Sequence, residues 1–152
     1  MRLLILGIFS LLFLACTSTK STIKNIDPNA KRPKIVNNAF EITEYANDSN
    51  YGYDADYPIN LGPLLDKQEE ANIKLFFNAL EGENGETITY TKTETCCPFP
   101  SNTNNIGAGT LSIYEVNFKG IPKKIALYFN IYEKGQILCP KGLKIKKTTL
   151  QN

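Results

Sequence analysis

The chain predicts an α+β domain, a small antiparallel sheet with one main helix packed on one face, and three observations lead there. Between Asp66 and Leu80 the apolar residues Ile73, Phe76, Phe77 and Leu80 recur at i, i+3, i+4 and i+7, the one-sided period of a helix. Later stretches alternate instead with the period of two that marks a strand. The connections are short, and with one helix available this leaves antiparallel pairing as the simplest way to bury both patterns.

The helix carries its own signposts. Asp66 is placed to cap the first turn with Glu69 three residues on, Glu70 is spaced to pair with Lys74, and Gly82 supplies a stop. Phe76 and Phe77 read as core. Among the strands, Thr87 to Thr93 alternates Ile88 and Tyr90 with threonines. Leu111 to Phe118 sets Leu111, Ile113, Glu115 and Asn117 against Ser112, Tyr114, Val116 and Phe118, and Ile125 to Tyr132 places Ile125, Leu127, Phe129 and Ile131 on one face. Lys119 to Pro122 reads as the turn of a hairpin between the last two. Ala39 to Tyr45 is a candidate edge strand, and Asn102 to Thr110 a flexible connection.

Composition limits what such a domain can do. The chain has 152 residues, enough for one small domain and too few for a barrel enzyme of about 250. There are 17 Lys plus Arg against 15 Asp plus Glu, and the net charge of +2 gives no reason to expect a nucleic-acid partner. No histidine is present, which removes Ser-His-Asp triads, Cys-His dyads and His-ligated zinc from the repertoire of this chain. No cofactor or metal is called for. Charge is unevenly spread: residues 41–94 hold twelve acids and three lysines, whereas residues 95–152 hold eight lysines and two acids. Lys141, Lys144, Lys146 and Lys147 could turn toward anionic lipid, although two halves of one globule would intermix their charges.

The amino terminus predicts an address. Arg2 precedes an apolar run from Leu3 to Ala15, broken only by Gly7 and Ser10. As a helix it would cover about 20 Å, short of a hydrocarbon core of about 30 Å, so it reads as a signal-peptide core, residues 1–15. Leu12 to Cys16 resembles a bacterial lipobox, with the small Ala15 before the Cys16 that would be acylated. A thiolate is the side-chain nucleophile suited to a thioether with diacylglycerol, and two acyl chains anchor stably where one does not. Residues 16–38 then read as the acylated cysteine and a flexible tether, reaching up to about 70 Å, and residues 39–152 as the globular domain. The resemblance to lipoprotein sorting signals implies a location as well: Thr17 is not the Asp that favours inner-membrane retention, so the expected location is the outer membrane, facing the periplasm.

Two clusters invite a chemical reading. With Cys16 committed to lipid, Cys96, Cys97 and Cys139 leave an odd number of thiols in an oxidising compartment. Adjacent strand residues point to opposite faces, so one of the pair should aim at Cys139. The expected disulfide is Cys97–Cys139, with a Cys96–Cys97 bridge as the more strained alternative. A nucleophilic Cys97 would need Lys, Asp or Glu as its base. The segment Tyr51 to Pro58 gathers Tyr51, Tyr53 and Tyr57 with Asp54 and Asp56, either a binding rim of stacking surfaces or an irregular strand covering the sheet.

Over Tyr51 to Gly142 the chain resembles a family of small bacterial envelope lipoproteins. The resemblance rests on Tyr51, Gly52, Tyr53, Pro58, Ile59 and Gly62; Phe76 to Leu80 with Gly85 and Glu86; Cys96 to Phe99; Tyr114 to Val116; Leu127 to Tyr132; and Pro140 to Gly142. Departures are Glu94-Thr95 where Gly-Ser is usual, Glu133 for Asp, and Leu143 for an aromatic. Some proteins of that family carry the label 2-dehydro-3-deoxyphosphooctonate aldolase, an activity otherwise associated with a large cytoplasmic barrel. The sequence therefore leads to a membrane-anchored binding or accessory module that contacts an envelope protein or glycan. The rival is a small enzyme using Lys or Cys97.

Overall fold

The computed structural model describes residues 21–147, so the signal segment and Cys16 lie outside the described residues. Within them the regular structure is mostly strand, with one helix. The strands are β1 (Ile35–Val36), β2 (Ala39–Phe40), β3 (Ile59–Asn60), β4 (Leu80–Gly82), β5 (Ile88–Pro100), β6 (Ala108–Phe118), β7 (Ile121–Asn130) and β8 (Leu143–Ile145); the helix α1 is Asp66–Asn78.

The centre is a four-stranded sheet in the order β3-β7-β6-β5. Its long strands pair antiparallel as expected, with Tyr114 opposite Leu127 and Lys92 opposite Tyr114. The turn between β6 and β7 is tighter than the sequence suggests: Lys119 and Gly120 make it, Gly120 at φ +86°, and Pro122 already belongs to β7. The expectation of a simple antiparallel sheet does not hold, because β3 joins the β7 edge in parallel, Ile59 opposite Phe129. Parallel neighbours need a crossover, and here the chain between them contains the helix and both long hairpin strands. Two further pairs, β1 with β2 and β4 with β8, are separate.

Helix α1 lies on one face of the sheet. Ile73, Phe76 and Phe77 are buried there, with the Phe76 ring 5.3 Å from Phe129 and Phe77 stacked 4.1 Å from Tyr90. The cap falls one residue earlier than expected. The backbone N–H of Leu65 donates to Gln68 Oε1 at 3.1 Å, which leaves Asp66 in the first turn. The helix ends at Asn78, before Gly82, because Leu80 to Gly82 pairs with β8. The Glu70–Lys74 pair does not form. Glu69 instead takes Lys92 across from the sheet at 2.9 Å.

The segment before Ala39 is where the structure departs most from a free tether. Ile23 is buried, the Lys24 N–H donates to the Asp56 carbonyl, the Asp27 N–H to that of Lys134, and Asn25 Nδ2 to Pro58 O at 2.8 Å. Further on, β1 and β2 form a two-residue hairpin with Asn37 and Asn38 at φ +50° and +60°, the turn geometry that follows sheet twist. Residues 23–38 are thus a strap bound to the globule. Between Cys16 and Ile23 stand six residues, 17–22, which at full extension allow about 25 Å of reach, in place of 70 Å. Only Ala39 and Phe40 of the expected edge strand are strand, and Tyr45 makes a single bridge to Cys139.

Candidate functional site

The expected disulfide is not the one present. Cys97 is bonded to Cys96, and Cys139 is a buried free thiol beside Tyr45. Adjacent residues point to opposite faces only in a regular strand. Pairing of β5 with β6 shifts register between Cys96 and Phe99, and Cys97 sits at φ +56°, so alternation breaks where it was applied. The pair packs with Ile23, Phe99, Leu111, Tyr128 and Tyr132 on the sheet face away from α1. Burial pushes the Cys139 thiol up to about 12, which leaves it without the thiolate character that nucleophilic chemistry requires.

The tyrosine rim is also rearranged. Tyr51 is 5% exposed and belongs to the main core; its hydroxyl donates to the Gln136 carbonyl and accepts the Leu138 N–H, both at 3.0 Å. Burial drives its phenol far above the ordinary range, against the opposing Leu138 bond. Tyr53 is half-buried and donates to the Lys141 carbonyl, and burial raises its phenol to about 12. Tyr57 is half-buried beneath the Lys24 ammonium, 5.2 Å from its ring centre, while Lys24 pairs with Asp56 at 2.9 Å. Asp54 accepts the Asp56 N–H in a local turn. These side chains tie the strap and the Lys134–Gly142 region to the sheet. They do not form an open rim.

The larger opening lies under the strap. A cavity of about 240 Å³ is lined by Ala30, Lys31, Arg32, Asn60 to Pro63, Lys134, Gly135 and Ile137. Asn60 in its lining belongs to a chain of hydrogen-bonded asparagines. Asn130 Nδ2 donates to Asn60 Oδ1 at 2.8 Å, Asn60 Nδ2 donates to Asn25 Oδ1 at 2.9 Å, and Asn130 Oδ1 accepts the Tyr132 N–H at 2.9 Å. Every amide dipole in this relay is satisfied, which is what lets Asn60 and Asn130 remain buried at the end of β3 and β7. Glycine is required beside it. A Cβ on Gly135 would stand 2.7 Å from Asn60 Nδ2, and one on Gly62 would stand 2.2 Å from the Ile131 carbonyl oxygen.

Three cations border this cavity. Arg32 reaches over the Phe40 ring at 5.8 Å and donates from Nη2 to Asn72 Oδ1, and Lys31 and Lys134 are exposed at the mouth. The ion pairs among the described residues are Lys24–Asp56, Lys92–Glu69 and Lys124–Glu115, so none of the three cations is paired. Sequence reading missed the cavity because Asn25, Asn60 and Asn130 are distant in the chain. The Asn37-Asn38 dipeptide between Ile35-Val36 and Ala39-Phe40 was the local sign that the strap is structured. A second opening beside Glu83, Phe118 and Lys123 holds only about 40 Å³.

Against known protein families, curated proteins and solved structures, the chain has no significant match.

Proposed function

We propose that the protein is a lipoprotein of the cell envelope, anchored through acylated Cys16 in the outer membrane and facing the periplasm, where its domain binds another envelope component through the cavity under the strap. The observation that carries the anchor is the apolar run Leu3–Ala15 ending at Cys16, too short to span and placed as a lipobox requires. The resemblance to small envelope lipoproteins agrees with it. The docked strap adds a geometric consequence: the globule is held within about 25 Å of the bilayer surface.

Binding is favoured over the aldolase reading by the arrangement of the reactive side chains. Lys31 and Lys134 are exposed at the cavity mouth without a carboxylate partner, and Cys97 is committed to Cys96. Both lysines stay in water, whereas an amine nucleophile desolvated in an apolar pocket is what the aldolase reading calls for, and thiol catalysis needs an available thiolate.

Cell fractionation of the native chain and of Cys16→Ser tests the anchor. The native protein is expected to sediment with membranes, to need detergent for release and to incorporate labelled palmitate, while the variant is released in soluble form. Equal sedimentation of both, with no label in either, would refute the lipoprotein reading.

A further inference from the structure

We infer that the cavity under the strap is a binding site for an oxyanion, the carboxylate or phosphate end group of a small ligand. This rests on the reading of the chain as a binding module and names what the module takes.

The charge arrangement is the main support. Lys31, Arg32 and Lys134 come from two segments about a hundred residues apart and converge on one concavity, and no acid lines it. The acids nearest them in the chain are turned to other partners. Asp27 accepts the Asn29 N–H at 2.9 Å, and Glu133 accepts the Ser101 hydroxyl at 2.6 Å. Three like charges focused by protein walls attract an anion more strongly than the same charges spread over a convex surface.

Arg32 sharpens the point. Arg32 as a whole is exposed, but its guanidinium rests against Phe40 and Asn72 of α1, where partial desolvation lowers its proton affinity from the ordinary value. Its partners there, the Asn72 amide and an aromatic face, are neutral. A planar guanidinium has five donors in a fork that matches carboxylate or phosphate, so its remaining N–H groups are suited to such a ligand.

Size and lining chemistry narrow the class. A volume of about 240 Å³ is below the ~300–1,000 Å³ of sites that enclose drug-sized ligands, so the cavity fits an end group or a single small ring. Leu61, Pro63 and Ile137 give it an apolar side against which the uncharged part of a ligand can rest.

The test titrates the full chain with glucose, glucuronate and glucose 6-phosphate, which share a ring and differ in charge, and follows the amide signals of Leu61, Gly62 and Gly135 by NMR. Glucuronate or glucose 6-phosphate is expected to bind at least about tenfold more tightly than glucose and to weaken as salt rises. The tighter of the two distinguishes carboxylate from phosphate. The double variant Lys31→Gln/Lys134→Gln alters exposed side chains and is expected to lose about tenfold in that binding while keeping the native melting temperature. Ala30→Trp, which narrows the mouth without changing charge, should weaken all binding.

Equal affinity for the three sugars overturns the oxyanion assignment, as does charged-sugar binding that the double variant leaves unchanged. Equal affinity that Ala30→Trp still blocks leaves the cavity standing as a binding site. Absence of response at these amides to any of the three overturns the assignment too. The anchor is judged separately, by the fractionation of Cys16→Ser.

Discussion

The two faces of the central sheet are stabilised in different ways. On the helix side, Phe76, Phe77, Tyr114 and Phe129 meet edge to face within about 5–6 Å, and Val116, Leu127 and Ile59 fill the spaces between them. On the other side the buried apolar set is smaller, Ile23, Phe99 and Leu111 with Ile113 opposite Tyr128, supplemented by half-buried Tyr128, Tyr132 and the Cys96–Cys97 pair. A deep aromatic core can hold its shape through packing alone, because each ring removes a large apolar area from water. The thin face instead recruits the strap and a covalent link. The strap starts on this face at Ile23, whereas its later part carries Arg32 against Phe40 and Asn72 of the helix side, and the cavity it covers borders Leu61 and Ile137 of the main core.

The largest effect should come from the deep face. Phe129→Ala removes a ring that is fully buried against Phe76, Phe77 and Tyr114, and is expected to cost about 3–5 kcal/mol in urea unfolding. Leu111→Ala, on the opposite face, is expected to cost about 2 kcal/mol, the low end for such a truncation, since its thinner surroundings can relax into the space. If Leu111→Ala costs as much as Phe129→Ala, the contrast between the faces is wrong.

The asparagine relay sits at the end of β3 and β7 and holds the strap through Asn25. Asn130→Ala leaves the Tyr132 N–H and Asn60 Oδ1 without their partners and should cost about 1–3 kcal/mol, with the strap becoming more accessible to protease than in Leu111→Ala. The smallest effect is expected at Glu69. Burial alone would raise its carboxyl, but Lys92, Ser112 and Tyr114 outweigh that and hold it below the ordinary 4.5. The unfolded chain therefore binds this proton more tightly. The stabilisation is complete above the ordinary carboxylate value and is lost as pH falls through the lower folded value. With Lys92 40% exposed, this amounts to at most about 1 kcal/mol. Unfolding of Glu69→Gln measured between pH 3 and 6 should show a shallower acid-side decline than the native chain.

How much was legible in the sequence follows the same division. Helix α1 and the β6–β7 hairpin were readable because their signals are local: Phe76 and Phe77 share a helical face, and Leu127 and Phe129 share a strand face, whereas β5 runs on to Pro100, beyond the Thr87–Thr93 expected, and β6 begins at Ala108, inside the expected flexible connection. The strap, the parallel β3–β7 pair and the β4–β8 pair depend on partners far along the chain, such as Leu61 with Lys134 and Leu80 with Ile145. A polar, proline-containing run like 24–34 looks like a linker unless its partners are known. The tyrosines of 51–57 illustrate a related difficulty, since stacking surface with a polar tip suits a buried tie as well as a rim. Cys97 failed for another reason: period-two reasoning holds only in regular strand, and the irregularity sits at the cysteines themselves.

Attachment of the chain to lipid is tested most directly by the mass of its amino-terminal peptide, recovered from membranes after proteolysis. The predicted result is a peptide beginning at Cys16 and carrying a thioether-linked diacylglycerol. A peptide that still contains residues preceding Cys16, or one whose Cys16 bears a free thiol, would contradict it.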